Sequence, residues 1–236
     1  MSYPIYFVPL YAFSALTEAT VVGIVATECV INGSESMAKK RIIRLVSWPE
    51  DEAGILAVIA AAKQIMRASG NSQQWVGNYP SGDAIRADVE RHGGYVIEEV
   101  ELSGATEGLT PQETKAQEAL STNGSRREII AYFAFLPSPE PTYANIYDGT
   151  WADDTCPYYV LHRIASRADV HGIFEDIIRF SLSQTNNIRI DTHRDNLIMR
   201  HNIAKHGFEY CGIIYLQNGD ERLAYQRVVR RAGDSR

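Results

Sequence analysis

His162 is the residue whose type and setting best suit proton transfer. It sits in an apolar stretch, Tyr158 to Ile164, that reads as a strand. An imidazole titrates near neutral pH and suits a general base. Tyr158 lies four residues earlier, on the same face of a strand with a period of two. It is placed to relay a proton or to line a pocket. The alternative for both residues is an ordinary place in a strand.

Aromatic faces attract ammonium groups, so Trp75, Tyr79 and Trp151 are candidates to border an amine site. Core or rim packing is the competing reading. Ser183 and Cys156 carry no local nucleophile signature, which removes support for hydrolase chemistry. His193-Arg194-Asp195 has the form of a kinase catalytic loop, but the asparagine needed five residues after the aspartate is Arg200, and no glycine-rich phosphate loop precedes it. The three cysteines, Cys29, Cys156 and Cys211, are scattered without metal-ligand spacing. Neither a metal nor a disulfide framework is expected, and the pattern fits a reducing cytoplasm.

The elements that must position these residues follow from periodicity. Arg41 to Val46 reads as a strand. Ser47-Trp48-Pro49-Glu50 has the form of a capping box, and an amphipathic helix follows with Ile55, Ile59, Ala62 and Met66 on one face, ended by Gly70. Ser81 caps a second helix. Gly94 to Val100 and Glu128 to Phe135 read as strands, and Pro137, Pro139 and Pro141 mark a loop. After the Tyr158 to Ile164 strand come a helix from Gly172 to Ser183, a strand from Asn187 to Thr192, and a helix capped by Asp195 and ended by Gly207. Strands from Glu209 to Leu216 and Arg222 to Val228 flank a turn at Asn218-Gly219. One strand–helix–strand unit, Tyr158 to Thr192, implies a local parallel pair. The other connections favour antiparallel neighbours. The expected class is α+β: a mixed, mostly antiparallel sheet of about seven strands flanked by about four helices.

Two segments stand apart. Residues 1–36 are apolar-rich from Pro4 to Ile31, but Pro9, Glu18 and Glu28 interrupt every run before it reaches the roughly 18 residues of a spanning helix. No basic residue precedes the run, so it is a poor signal peptide. It is expected to be an N-terminal extension, with folding beginning near Met37. Residues 102–127 are polar and read as an insertion holding one short helix at Thr110-Pro111-Gln112-Glu113. The domain then spans 37–230, with a tail at 231–236. A net charge of −6 argues against nucleic acid. It is compatible with a cationic substrate, and equally with simple solubility. No membrane partner is expected.

This element order resembles that of the GNAT acetyltransferases, and particular residues support the likeness. They are Ser-Gly-Asn-Ser-Gln-Gln-Trp at 69–75, Tyr79-Pro80-Ser81, Val160-Leu-His-Arg-Ile-Ala165, Ile188-Arg-Ile-Asp-Thr-His193, Asp195-Asn196, and Gly207-Phe208 through Tyr215. Together they resemble a bacterial GNAT subgroup along most of 40–230. The resemblance implies an N-acetyltransferase that uses acetyl-CoA as co-substrate, moves an acetyl group to a primary amine of a small molecule or peptide, and has the potential to form a homodimer. It implies that the diphosphate lies at the N-terminus of the helix opening at Asp169-Val170-His171-Gly172-Ile173-Phe174, where unpaired N–H groups and a dipole end favour anions. It implies that the pantetheine arm pairs with the strand around His162, Arg163 and Ile164, where a backbone N–H polarises the thioester. Asn196 is implied to contact the arm; the alternative is a helix cap.

Three positions depart from the family pattern. Asp169 stands where Arg or Gln is usual, Phe174 stands where a small residue is usual, and Ile203 stands where many members have the Tyr that protonates the thiolate. Asp169 brings negative charge toward a diphosphate, and Phe174 threatens to crowd the loop. A thiol near pKa ~8.5 is a stable leaving group, so water suffices as the acid. The rival class of function is a degenerate GNAT fold that binds coenzyme or another ligand without turnover, as a sensor or interaction module.

Overall fold

The computed structural model describes residues 23–25, 39–101 and 127–230. The short helix expected at Thr110 to Glu113 lies outside them, as does most of the 1–36 segment. Eight strands form one sheet in the order β1-β2-β3-β4-β5-β6-β8-β7. They are β1 Gly23–Val25, β2 Lys39–Leu45, β3 Gly94–Glu101, β4 Arg127–Pro137, β5 Tyr159–Ser166, β6 Asn187–Thr192, β7 Glu209–Tyr215 and β8 Glu221–Val228. Every pairing is antiparallel except β5 with β6. The one parallel pair falls where the strand–helix–strand pattern put it. The additional strand is β1, which pairs with Arg41–Ile43 of β2. Three residues of the expected extension thus join the sheet edge.

Among the described residues four α-helices accompany the sheet: α1 Glu52–Ala68, α2 Gly82–Glu90, α3 Ile173–Gln184 and α4 Leu197–Lys205. A short 3-10 turn runs from Pro141 to Tyr143. Strand alternation sorts the core onto two faces. Ile43, Ile97, Phe133, Phe135, Leu161 and Ile190 pack with Ile173, Ile177, Phe180 and Ile203 of α3 and α4. Val96, Tyr132 and Ala165 face the other way, toward Ile55, Val58, Ile59 and Ile85 of α1 and α2. A third cluster, Tyr143, Trp151, Val160, Cys211, Ile214 and Ala224, anchors the loop between β4 and β5.

Two expected caps differ. The Ser47 to Glu50 box does not open α1. Ser47 Oγ instead meets Glu50 Oε2 at 3.0 Å, and the N-cap is Asp51. The Asp51 carboxylate accepts from the Ser47 N–H (2.7 Å) and from Arg44 (2.6 and 2.9 Å), so a cation on β2 takes it as partner. At α4 the cap is Asn196, not Asp195: Asn196 Oδ1 accepts from the Met199 N–H at 3.0 Å. Ser81 caps α2 as expected, accepting from the Ala84 N–H at 3.4 Å.

Candidate functional site

The site begins where β5 and β6 part. Their parallel register runs Tyr159 with Ile188, Val160 with Arg189 and Leu161 with Ile190, and goes no further. Beyond Leu161, β5 continues to Ser166 alongside β4, while β6 ends at Thr192 and turns into α4. Among the described residues, no strand therefore lies beside the edge of β5 from His162 to Ser166 on the β6 side. Unpaired strand edges are templates for further main-chain pairing. A cleft of about 1010 Å³ fills the gap.

A bulge shapes this edge. Tyr132 pairs with Ala165 but Ala134 pairs with His162, so Arg163 and Ile164 stand opposite Phe133 alone. Arg163 takes φ +52°, the left-handed region that costs a non-glycine residue free energy. Its side chain is held firmly in return. The guanidinium donates to both oxygens of Asp88 on α2, with Nε at 2.7 Å from Oδ2, and to Tyr79 Oη at 3.2 Å. Tyr132 Oη donates to the same Asp88 carboxylate at 2.7 Å. Asp88 is 1% exposed. Burial and the charge of Asp88 push the Tyr132 phenol upward, so it stays a proton donor. The side chain of Arg163 thus serves the bulge, while its backbone, the part expected to pair with the cofactor arm, belongs to the open edge.

The other wall is the start of α3. Gly172 is its N-cap with φ +78°, a conformation that favours glycine. The N–H groups of the first helical turn have no acceptor within the helix. Val170, His171, Gly172 and Ile173 line the cleft. The two departures here sit differently relative to the cleft. Asp169 is exposed and lies outside the cleft lining. Its oxygens accept from Arg167 at 2.9 and 2.5 Å, and this partner holds the carboxyl below its usual range. Arg167 also pairs with Glu128 and itself lines the cleft. Phe174 is 7% exposed, belongs to the core and stands edge-on to His206 with ring centres 5.1 Å apart. Its ring contributes to the cleft wall from the core side.

His162 lies at the fork, in the cleft lining. Its Nδ1 is 3.6 Å from Asp191 Oδ1 and its Nε2 is 3.7 Å from Glu140 Oε2. Asp191 comes from β6 and Glu140 from the proline-rich loop after β4. Burial pushes the Glu140 carboxyl up, but the facing imidazole and the Thr142 hydrogen bonds outweigh it and hold the group below its usual range. Tyr143 Oη donates to Asp191 Oδ1 at 2.7 Å. Full burial, then the charge of Asp191, push that phenol well above its ordinary value.

Tyr158 lies off the cleft. Its hydroxyl accepts from the Glu140 N–H at 3.4 Å, and its ring covers the Arg189 guanidinium at 3.8 Å, so it supports the loop and is not positioned as a relay. Trp151 also lies away from the cleft: Nε1 donates to the Tyr143 carbonyl at 3.3 Å and the ring covers the other side of Arg189. Trp75 and Tyr79 do line the cleft, Trp75 as a buried wall and Tyr79 at an exposed rim. Asn196 lines it too, while acting as the α4 cap, and its Nδ2 donates to Gln74 Oε1 at 2.8 Å. Gln74 also accepts from Thr192 Oγ1 at 3.4 Å and Asn71 Nδ2 at 2.9 Å, tying the loop after α1 to the β6 side of the fork.

Sequence reasoning missed Glu140, Asp191 and Gln74. Two of them carried a faint signal, since Gln74 and Asp191 fall inside segments that resemble the family. Among the described residues no helix is long and apolar enough to cross a membrane, and no cluster of three or more His, Cys, Asp or Glu side chains is arranged to hold a metal ion.

The sheet order and its helices define the class: this is the GNAT fold, as the sequence resemblance implied. Particular relatives make the likeness concrete. The structure is similar to a GNAT-family acetyltransferase from Streptococcus agalactiae 2603, with 26% identity, a TM-score of 0.62, and coverage of 81% of this chain and 96% of that one. It also shares its fold with a GNAT-family acetyltransferase from Listeria monocytogenes 4b F2365, at 17% identity and TM-score 0.52, covering 80% of this chain and 95% of that one. No protein-family model matches the chain, and no curated protein matches it in sequence.

Proposed function

We propose that the chain is an acetyl-CoA-dependent N-acetyltransferase that moves an acetyl group to a primary amine by direct attack. The observation that carries the reading is the parting of β5 and β6 beside the N-terminus of α3. The groove offers two fixed sets of backbone donors, one suited to a diphosphate and one to an amide-bearing arm. Acetyl-CoA has both parts, and a cleft of about 1010 Å³ has room for much of it. The first-turn N–H groups of α3 bind the diphosphate. The open edge of β5 holds the pantetheine arm in strand-like pairing, and a backbone N–H on this edge stabilises the oxygen as charge develops.

The amine enters past Trp75 and Tyr79 toward His162. His162 takes the ammonium proton, the freed nitrogen attacks the acyl carbon, the C–N bond forms, and the C–S bond breaks as the nitrogen gives up its second proton to water, leaving a neutral amide and the thiolate. Ile203 is fully buried in the core, so this position offers no acid, and the thiolate takes its proton from water.

The test is release of free CoA, followed with a thiol reagent, across a panel of amines that includes polyamines, amino acids, aminoglycosides and peptide N-termini. Release with at least one amine is expected. Coenzyme binding with no release across the panel would favour the non-catalytic sensor.

A further inference from the structure

His162 and Asp191 occupy the next positions along β5 and β6 after the last paired residues, Leu161 and Ile190. Alternation places both on the sheet face opposite Leu161 and Ile190, which pack against α3 and α4. They are the first side chains of the two diverging strands. Asp191 Oδ1 stands 3.6 Å from His162 Nδ1, too close for an intervening water.

Asp191 is itself fixed. It accepts the Tyr143 hydroxyl at 2.7 Å, and Arg222 Nε on β8 stands 4.0 Å from its Oδ2. The Asp191 side chain is 10% exposed and that of Arg222 5%. On the opposite side of the ring, Nε2 faces Glu140, a loop residue whose neighbour Arg91 is half-exposed and 4.0 Å away. The charged and titratable groups around the imidazole are thus Asp191, Glu140, Arg222, Arg91 and the Tyr143 phenol. Only Asp191 reaches it from a strand held in register.

Resting on the transferase reading, we infer that Asp191 is a positioning residue for His162. Its carboxylate fixes the proton on Nδ1, leaves Nε2 on the Glu140 side of the ring as the proton acceptor, and stabilises the imidazolium that forms when Nε2 takes the ammonium proton. A carboxylate behind a catalytic imidazole has this effect in well-studied triads. Here the acidic partner comes from the strand that parts from the one bearing the base.

The test uses D191N, which keeps size and loses charge. With an amine that supports turnover, kcat/KM is expected to fall about 10²-fold or more. KM for acetyl-CoA stays unchanged. The acidic limb of the kcat/KM profile moves to lower pH, because a neutral neighbour no longer favours the imidazolium. In a His162→Ala background D191N costs almost nothing further, since it acts through the missing ring. An unmoved limb, or an equal loss in both backgrounds, overturns the inference. Nitrogen NMR of the imidazole tests it without turnover. The wild type is expected to carry the proton on Nδ1 and D191N to lose that preference. No CoA release from the wild type, with Nδ1 protonated, sinks the transferase reading alone. An Nε2 proton in the wild type sinks the positioning role, whatever the activity.

Discussion

Asp88→Ala is expected to destabilise the protein by about 3–5 kcal/mol, the range for removing one partner of a buried ion pair. Asp88 is 1% exposed and receives Arg163 through two nitrogens, together with the Tyr132 hydroxyl. Deleting the carboxylate leaves a guanidinium with a side chain only 16% exposed and a phenol in the core, both short of an acceptor. It also frees the residue that holds the left-handed backbone of the β5 bulge. Against a total stability of about 5–15 kcal/mol the loss is large. Urea unfolding of the variant should show a much lower midpoint with little change in slope. A loss below about 1 kcal/mol would mean that water reaches Arg163 and that the network is not the bulge's anchor.

The largest effect on activity is expected at His162. His162→Ala should lower kcat/KM about 10²-fold or more while leaving KM for acetyl-CoA near its original value. The ring projects at the fork between two carboxylates, where the proposed route of the amine past Tyr79 ends. In the proposed groove the coenzyme is held by backbone groups that the substitution leaves in place. The partition between the two substrates is therefore the informative part. A near-normal rate would remove His162 from the mechanism. A loss expressed wholly as a raised KM for acetyl-CoA would make it a cofactor contact.

Local chemistry made most of the frame readable. β6 has the bounds its Ile-rich alternation suggested, and α3 starts one residue after the glycine expected to open it. Where two adjacent residues have equal local credentials, sequence does not choose: Asp195 and Asn196 are both good caps, and the choice fell to Asn196, whose amide also reaches Gln74. The Ser47 box failed because Asp51 had a tertiary partner in Arg44.

The site was less legible, for a related reason. Glu140, His162 and Asp191 lie on a loop and two strands, and only the β5–β6 register brings them together. Tyr158 precedes β5, so strand alternation does not fix its direction, and Arg189 draws it and Trp151 into a stacked core. Phe174, expected to crowd the loop, packs in the core beside His206 and also forms part of the cleft wall.

The most direct measurement is thermal unfolding with and without acetyl-CoA. If the α3 N-terminus and the open edge of β5 form a coenzyme groove, ligand at ~100 times its Kd adds about 2.7 kcal/mol, and the melting temperature climbs with concentration. A melting curve that stays put at millimolar acetyl-CoA would contradict the groove, and with it the transferase.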